Sequence, residues 1–151
     1  MAPAVVLAYG NPLREDDGVA WAVAERVREL DPGLNVLTVH QLTPELAEVL
    51  SEAESAVFVD ARVGETPGEL SIALIEPVER RPGMTHTIGP ETLLFYSLRL
   101  FGRAPRGALV TVTGERFGMG QGLSPAAARA VPVAAERAVQ LATGRAPRQS
   151  A

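Results

Sequence analysis

The sequence of 151 residues contains no cysteine, which excludes a disulfide framework, a thiolate zinc site, an iron–sulfur cluster and a cysteine nucleophile. It contains no lysine either. All 14 basic residues are arginine, so a Walker-type phosphate lysine and a Schiff-base mechanism are ruled out as well. Aromatic side chains make up only 5% of the chain, so a core must be built from Val, Leu and Ala, as in layered α/β domains. The formal charge is −4 and no basic stripe is interleaved with aromatics, which argues against a nucleic-acid partner. No apolar run approaches the roughly 20 residues of a membrane span, and no signal-peptide pattern opens the chain. The expectation is a soluble, cytoplasmic protein without a membrane partner.

What is present is one domain's worth of alternating patterns, expected over residues 1–144, with 145–151 as a flexible tail. Residues 3–9 form a continuous apolar run with β-branched Val5 and Val6, the pattern of a strand covered on both faces. From Asp17 to Leu30, Val19, Val23, Val27 and Leu30 recur at helical spacing, and Asp31-Pro32-Gly33 stops that helix. A second strand is expected over Leu34 to His40, then a helix opened by Thr43-Pro44 with Leu46, Val49, Leu50 and Ala53 on one face. A third strand over Ala56 to Val59 ends on Asp60.

Leu70 to Leu74 follows too closely for a helical crossover and is expected as an antiparallel edge strand. The polar stretch 79–89 carries His86; a helix then runs from Pro90 to Phe101 with Leu94, Leu98 and Phe101 inward. A fifth strand covers Ala108 to Thr113, and Ser124-Pro125 begins a last helix that Gly144 ends. Ala127, Val131, Ala134, Ala138 and Leu141 are its expected inner face. The fold expected is a three-layer α/β sandwich: a five-stranded, mostly parallel twisted sheet with an antiparallel edge strand and helices on both faces. The glycine-rich stretch 114–122 lacks the Gly-Lys-Ser/Thr of a phosphate loop and is expected as a mobile, substrate-facing loop.

The first strand stops at Gly10-Asn11, and Glu15, Asp16 and Asp17 stand before the first helix. Adjacent carboxylates repel, so a cation or helix dipoles must compensate them. The plain alternative is that Asp16 or Asp17 caps the helix. In open α/β sheets ligands bind beyond the carboxyl ends of the strands, which is where Asp17, Asp60 and the loop carrying His86 are expected to meet. Two carboxylates and an imidazole suit a borderline divalent ion such as nickel or zinc and leave positions open for water or substrate. His86 taken alone reads as a surface histidine, and His40 as a structural residue or a contact to substrate.

Gly10-Asn11-Pro12-Leu13-Arg14-Glu15-Asp16-Asp17-Gly18-Val19, Val59-Asp60-Ala61, His86 before Ile88-Gly89, and Phe117-Gly118 through Gly122-Leu123-Ser124-Pro125 resemble the hydrogenase maturation protease family. The resemblance runs from the first strand to the last helix. It implies an endopeptidase that removes the C-terminal extension of a nickel–iron hydrogenase large-subunit precursor once nickel has been inserted. The family's metal-binding positions fall on Asp17, Asp60 and His86, the catalytic set. The nickel would arrive with the precursor, and zinc or cadmium would be able to stand in for it in crystals. Asn11, Asp16, His40, Gln41, Phe117 and Gly118 are candidates for substrate contact, and a monomer is expected.

Where many members carry Asp-Gly-Gly-Thr, this chain has His40-Gln41-Leu42-Thr43, a form resembling the branch that serves bidirectional, NAD-coupled hydrogenases. No serine triad or His-Glu-x-x-His is present, and the general base is open between Asp16 and a metal-bound hydroxide. Rival readings are a stand-alone metal-dependent peptidase or amidohydrolase, a non-catalytic chaperone of the nickel site, and a nucleotide-binding module. The last is disfavoured because acids lie where a pyrophosphate would sit.

Overall fold

The computed structural model describes residues 3–80 and 87–144. His86 and the tail 145–151 lie outside the described residues. Five strands form one sheet: β1 (Ala4–Tyr9), β2 (Asn35–Val39), β3 (Ser55–Val63), β4 (Leu70–Ile75) and β5 (Arg106–Gly114), in the spatial order β2-β1-β3-β5-β4. All neighbours are parallel except β4, which pairs antiparallel with β5 at the edge. The helices are α1 (Val19–Leu30), α2 (Leu46–Ser51), α3 (Pro90–Phe101) and α4 (Pro125–Thr143), with a 3-10 turn at Glu15–Gly18 before α1. This is the expected three-layer sandwich.

Alternation along the strands sorts the core into two halves. Val6, Ala8, Val57, Val59, Val110 and Val112 pack under α1 and α4, where Val19, Val23, Val27, Ala134 and Ala138 meet them. Val5, Leu7, Ala56 and Phe58 point the other way, against Leu50 of α2 and Leu93 and Leu94 of α3. Phe58 is the largest fully buried side chain. Because α4 contributes mostly alanines, it approaches α1 and the sheet closely, which is how a chain with so few aromatics fills its interior.

Several boundaries differ from those read in the sequence. β3 does not stop before Asp60 but runs to Val63, because β5 continues beside it, pairing Asp60 with Thr111 and Val63 with Gly114. β1 leaves earlier, its last pair with β3 being Ala8 with Val59, so Asp60 has a strand on one side and an opening on the other. α2 begins at Leu46 rather than at Pro44; the carbonyls of Thr43 and Pro44 accept from Leu46 and Ala47 in a turn that leads into it. On α3 the buried residues are Thr92, Leu93, Leu94 and Ser97. Leu98 and Phe101, expected inside, are 44% and 47% exposed, because no element among the described residues covers the last turn of α3. On α4, Ala135, Val139 and Ala142 are buried, while Val131 and Leu141 are only partly so. Ser124 caps α4 as expected, its hydroxyl accepting from the Ala127 N–H at 3.3 Å.

Candidate active site

Strand order places the site. β1 is followed by β2 on one side, while β3 returns to the other side of β1, so the crevice between the carboxyl ends of β1 and β3 is the switch point of the sheet. A cleft of about 430 Å³ opens there, lined by Tyr9, Gly10, Asp17, His40, Gln41, Leu42, Thr43, Pro44, Asp60, Thr87, Ile88 and Tyr96. A larger cavity of about 700 Å³ lies at the opposite edge, by Pro3, Leu34, Asn35 and Ala53. That edge holds the strand starts, away from the carboxyl ends where such sheets bind ligands, so the smaller cleft is the candidate site.

The loop after β1 is built to return Asp17 to the strand it left. Gly10 has φ +152°, and a Cβ there would stand 2.1 Å from the Asp17 carbonyl oxygen; a Cβ on Gly18 would stand 2.7 Å from the Pro12 Cα. Only glycine permits both approaches. The returning turn lets the Asn11 N–H donate to Asp17 Oδ2 at 2.8 Å, which fixes one carboxylate oxygen. Asp17 does not cap α1: the N-cap position is Gly18, and no side chain caps that helix.

Asp60 faces Asp17 from β3. Burial pushes its carboxyl up to about 6; bonds from the Tyr9 hydroxyl and the Ala61 N–H oppose the rise, and the Asp17 charge adds to it. Tyr9, at the end of β1, is the hydroxyl donor, and its phenol is held above the usual range by its own burial and then by the Asp60 carboxylate. Two carboxylates that meet at a half-dry crevice, the charge of one raising the cost of ionising the other, are a donor set a divalent cation would relieve. Among the described residues no third His, Asp or Glu joins them as a ready ion site. Thr87, directly after His86 in the chain, borders the cleft.

The remaining candidates divide. His40 and Gln41 line the cleft. Asn11 acts through its backbone on Asp17. Asp16 is a correction: it is fully buried and out of the cleft, and its carboxylate accepts from the Glu115 N–H at 2.7 Å, the Arg116 N–H at 3.1 Å, and the Ser124 N–H and hydroxyl at 2.7 Å each. Burial alone would raise its pKa; the Ser124 hydroxyl and the three N–H groups outweigh that and hold it below the usual carboxylate range. With three donors on Oδ2 and one on Oδ1, the carboxylate is turned to the β5–α4 connection and away from the cleft.

Phe117 and Gly118 are not among the cleft-lining residues either. Their loop is pinned to the segment before α1, where the Arg14 guanidinium donates to the Phe117 carbonyl and Asp16 and Glu15 donate backbone N–H groups to Arg116 and Gly120. A tethered loop replaces the mobile, substrate-facing one expected. Tyr9 and Trp21 escaped the sequence reading; the only signals were a tyrosine where a buried strand meets Gly10, and a lone tryptophan on α1.

No protein-family model and no curated protein matches the sequence. Solved structures do. The hydrogenase maturating endopeptidase HybD from E. coli superposes with a TM-score of 0.73 at 24% identity, covering 89% of this chain and 88% of that one. HycI, a [NiFe] hydrogenase maturation protease from Thermococcus kodakarensis, gives 0.72 at 23% identity over 93% and 92%. The HybD protease of the same organism gives 0.70 at 23% over 93% and 99%. This chain has their fold. The likeness spans nearly the whole of each chain. No helix among the described residues is long and apolar enough to cross a membrane.

Proposed function

We propose that this chain is a maturation endopeptidase that removes the C-terminal extension of a nickel–iron hydrogenase large-subunit precursor, and that it reads the nickel the precursor already holds. The observation that carries this reading is the pair Asp17 and Asp60, brought from two strand ends to one crevice, with one oxygen of Asp17 fixed by the Asn11 N–H and Asp60 raised to about 6. The fold shared with HybD and HycI, proteins named for hydrogenase maturation, supports it.

Asp17, Asp60 and His86 would take up open positions on a nickel ion bound by the precursor, so that only metal-loaded precursor docks productively. Carboxylates are weaker nickel ligands than thiolates or several imidazoles, which favours a cation arriving with its client over one held permanently. The ion polarises the scissile carbonyl as a Lewis acid or lowers the pKa of an attacking water. Gln41 and His40 line the cleft on the wall toward β2 and would contact the chain being cut. The test is incubation with nickel-loaded and nickel-free precursor, followed by mass spectrometry. Loss of the extension only from the loaded form is expected. Equal cleavage of both forms would refute metal-dependent recognition, and binding without cleavage would leave a chaperone of the nickel site.

A further inference from the structure

We propose, resting on the peptidase reading above, that His40 is the general base and then the general acid of the hydrolysis. The ionisable side chains lining the cleft are Tyr9, Asp17, His40, Asp60 and Tyr96. Asp17 and Asp60 are committed to the cation, and the Tyr9 hydroxyl is committed to Asp60. Asp16, another acid near the crevice, is buried, held by four donors and turned away from the cleft. Tyr96 is half-buried on α3, which leaves His40, among the described residues, as the exposed cleft group able both to accept and to deliver a proton.

His40 is also held. The Trp21 ring lies against the imidazole with centroids 5.2 Å apart and planes tilted by 51°. Trp21 is itself anchored, its indole N–H donating to the Val39 carbonyl at 3.0 Å, and the same carbonyl accepts from the Gly10 N–H at 3.1 Å. One oxygen atom thus ties the end of β2, the turn after β1 and helix α1 together, one residue before His40. Because Gly10 also sets where Asp17 lies, His40 and Asp17 are registered to the same node. An exposed histidine with no task requires no such support.

In the step assigned, the oxygen of a water molecule bonds to the scissile carbonyl carbon while one of its protons passes to the imidazole. The tetrahedral intermediate then collapses, the C–N bond breaks, and the imidazolium returns that proton to the leaving amine. The products are a new C-terminal carboxylic acid and a free peptide amine, which ionise to carboxylate and ammonium, and His40 ends as it began.

The test uses the full chain with nickel-loaded precursor, comparing wild type with His40→Gln, which keeps a hydrogen-bonding side chain but carries no titrating proton. Turnover of bound precursor should fall by about 100-fold or more. Wild-type turnover by His40→Gln, or weakened binding with turnover of bound precursor intact, would overturn the assignment while leaving the peptidase reading standing. A wild-type chain that leaves loaded precursor uncut would overturn the peptidase reading, and this inference with it.

Discussion

Replacing Asp60 by Asn should make the protein more stable and inactive, with the gain depending on pH in a direction fixed by the site. Asp60 titrates at about 6 in the folded chain, against an ordinary value of 3.8, chiefly because β3 carries it into a buried position and secondarily because Asp17 faces it. For an acid, a raised value means that the folded state holds the proton more tightly than the unfolded state. Between pH 3.8 and 6 the folded chain therefore binds more protons, stability falls as pH rises through that window, and the full penalty is in force above pH 6. A shift of about two units corresponds to about 3 kcal/mol. Asn has the same shape, can still accept from Tyr9 and cannot ionise, so Asp60→Asn escapes this cost at pH 8 and gains nothing at pH 3.5. Urea unfolding of both chains at the two pH values measures the difference; in thermal terms it is a rise of roughly 6–12 °C for a domain of this size. A stability difference independent of pH, or a less stable Asn variant at pH 8, would refute the account of Asp60 as an acid held at a cost. Loss of precursor cleavage in the same variant would mark the cost as one borne for function.

Other perturbations test the frame around the site. Asp16→Ala should destabilise by about 3 kcal/mol, since it leaves the buried Ser124 N–H and hydroxyl and the part-buried Glu115 and Arg116 N–H groups without their acceptor; urea titration checks it, and a loss under about 1 kcal/mol would contradict the clamp. Because the Asp16 carboxyl is depressed, its contribution is complete above the ordinary 3.8 and disappears as pH falls through its lower folded value. Glu15 sits at φ +49°, a left-handed conformation that costs a non-glycine residue roughly 1–2 kcal/mol. Glu15→Gly should therefore be neutral or stabilising by up to about 1 kcal/mol once the entropy of glycine in the unfolded chain is set against it, and Glu15→Val should destabilise; equal effects from the two would refute strain at this position.

The layered fold was legible because it rests on period: the double-sided run of β1, the helical repeat of α1 and the Ser-Pro start of α4 each reflect local burial that one segment reveals by itself. What misled was burial decided by neighbours. Leu98 and Phe101 have the right spacing for an inner face, but whether a helix turn is covered depends on what lies beneath its end, which no window of α3 contains. The end of β3 failed for the same reason, since β5 rather than β3 determines how far the ladder runs past Asp60. Tyr9 and Trp21 gave weak signals because their partners, Asp60 and the Val39 carbonyl, are remote in sequence and meet them only after strands pair.

Asp16 and Asp17 show where sequence reasoning on a site reaches its limit. They are identical in type and adjacent in the chain, and only the resemblance of the surrounding motif singled out Asp17 as the ligand and left Asp16 as a candidate base or substrate contact. The chain around them forms a 3-10 turn, in which successive side chains diverge by about 120°. One therefore points inward to the β5–α4 connection, where four donors hold it, and the other points into the cleft, where one N–H leaves it an oxygen to spare. The divergence requires no further specificity from the sequence: Gly10 and Gly18 bring the turn against β1, and once it is there the two carboxylates cannot exchange places without breaking the clamp on Ser124. Structural anchoring and chemistry thus come from neighbouring residues of one turn, and the rigidity imparted by Asp16 is what keeps Asp17 aimed at Asp60.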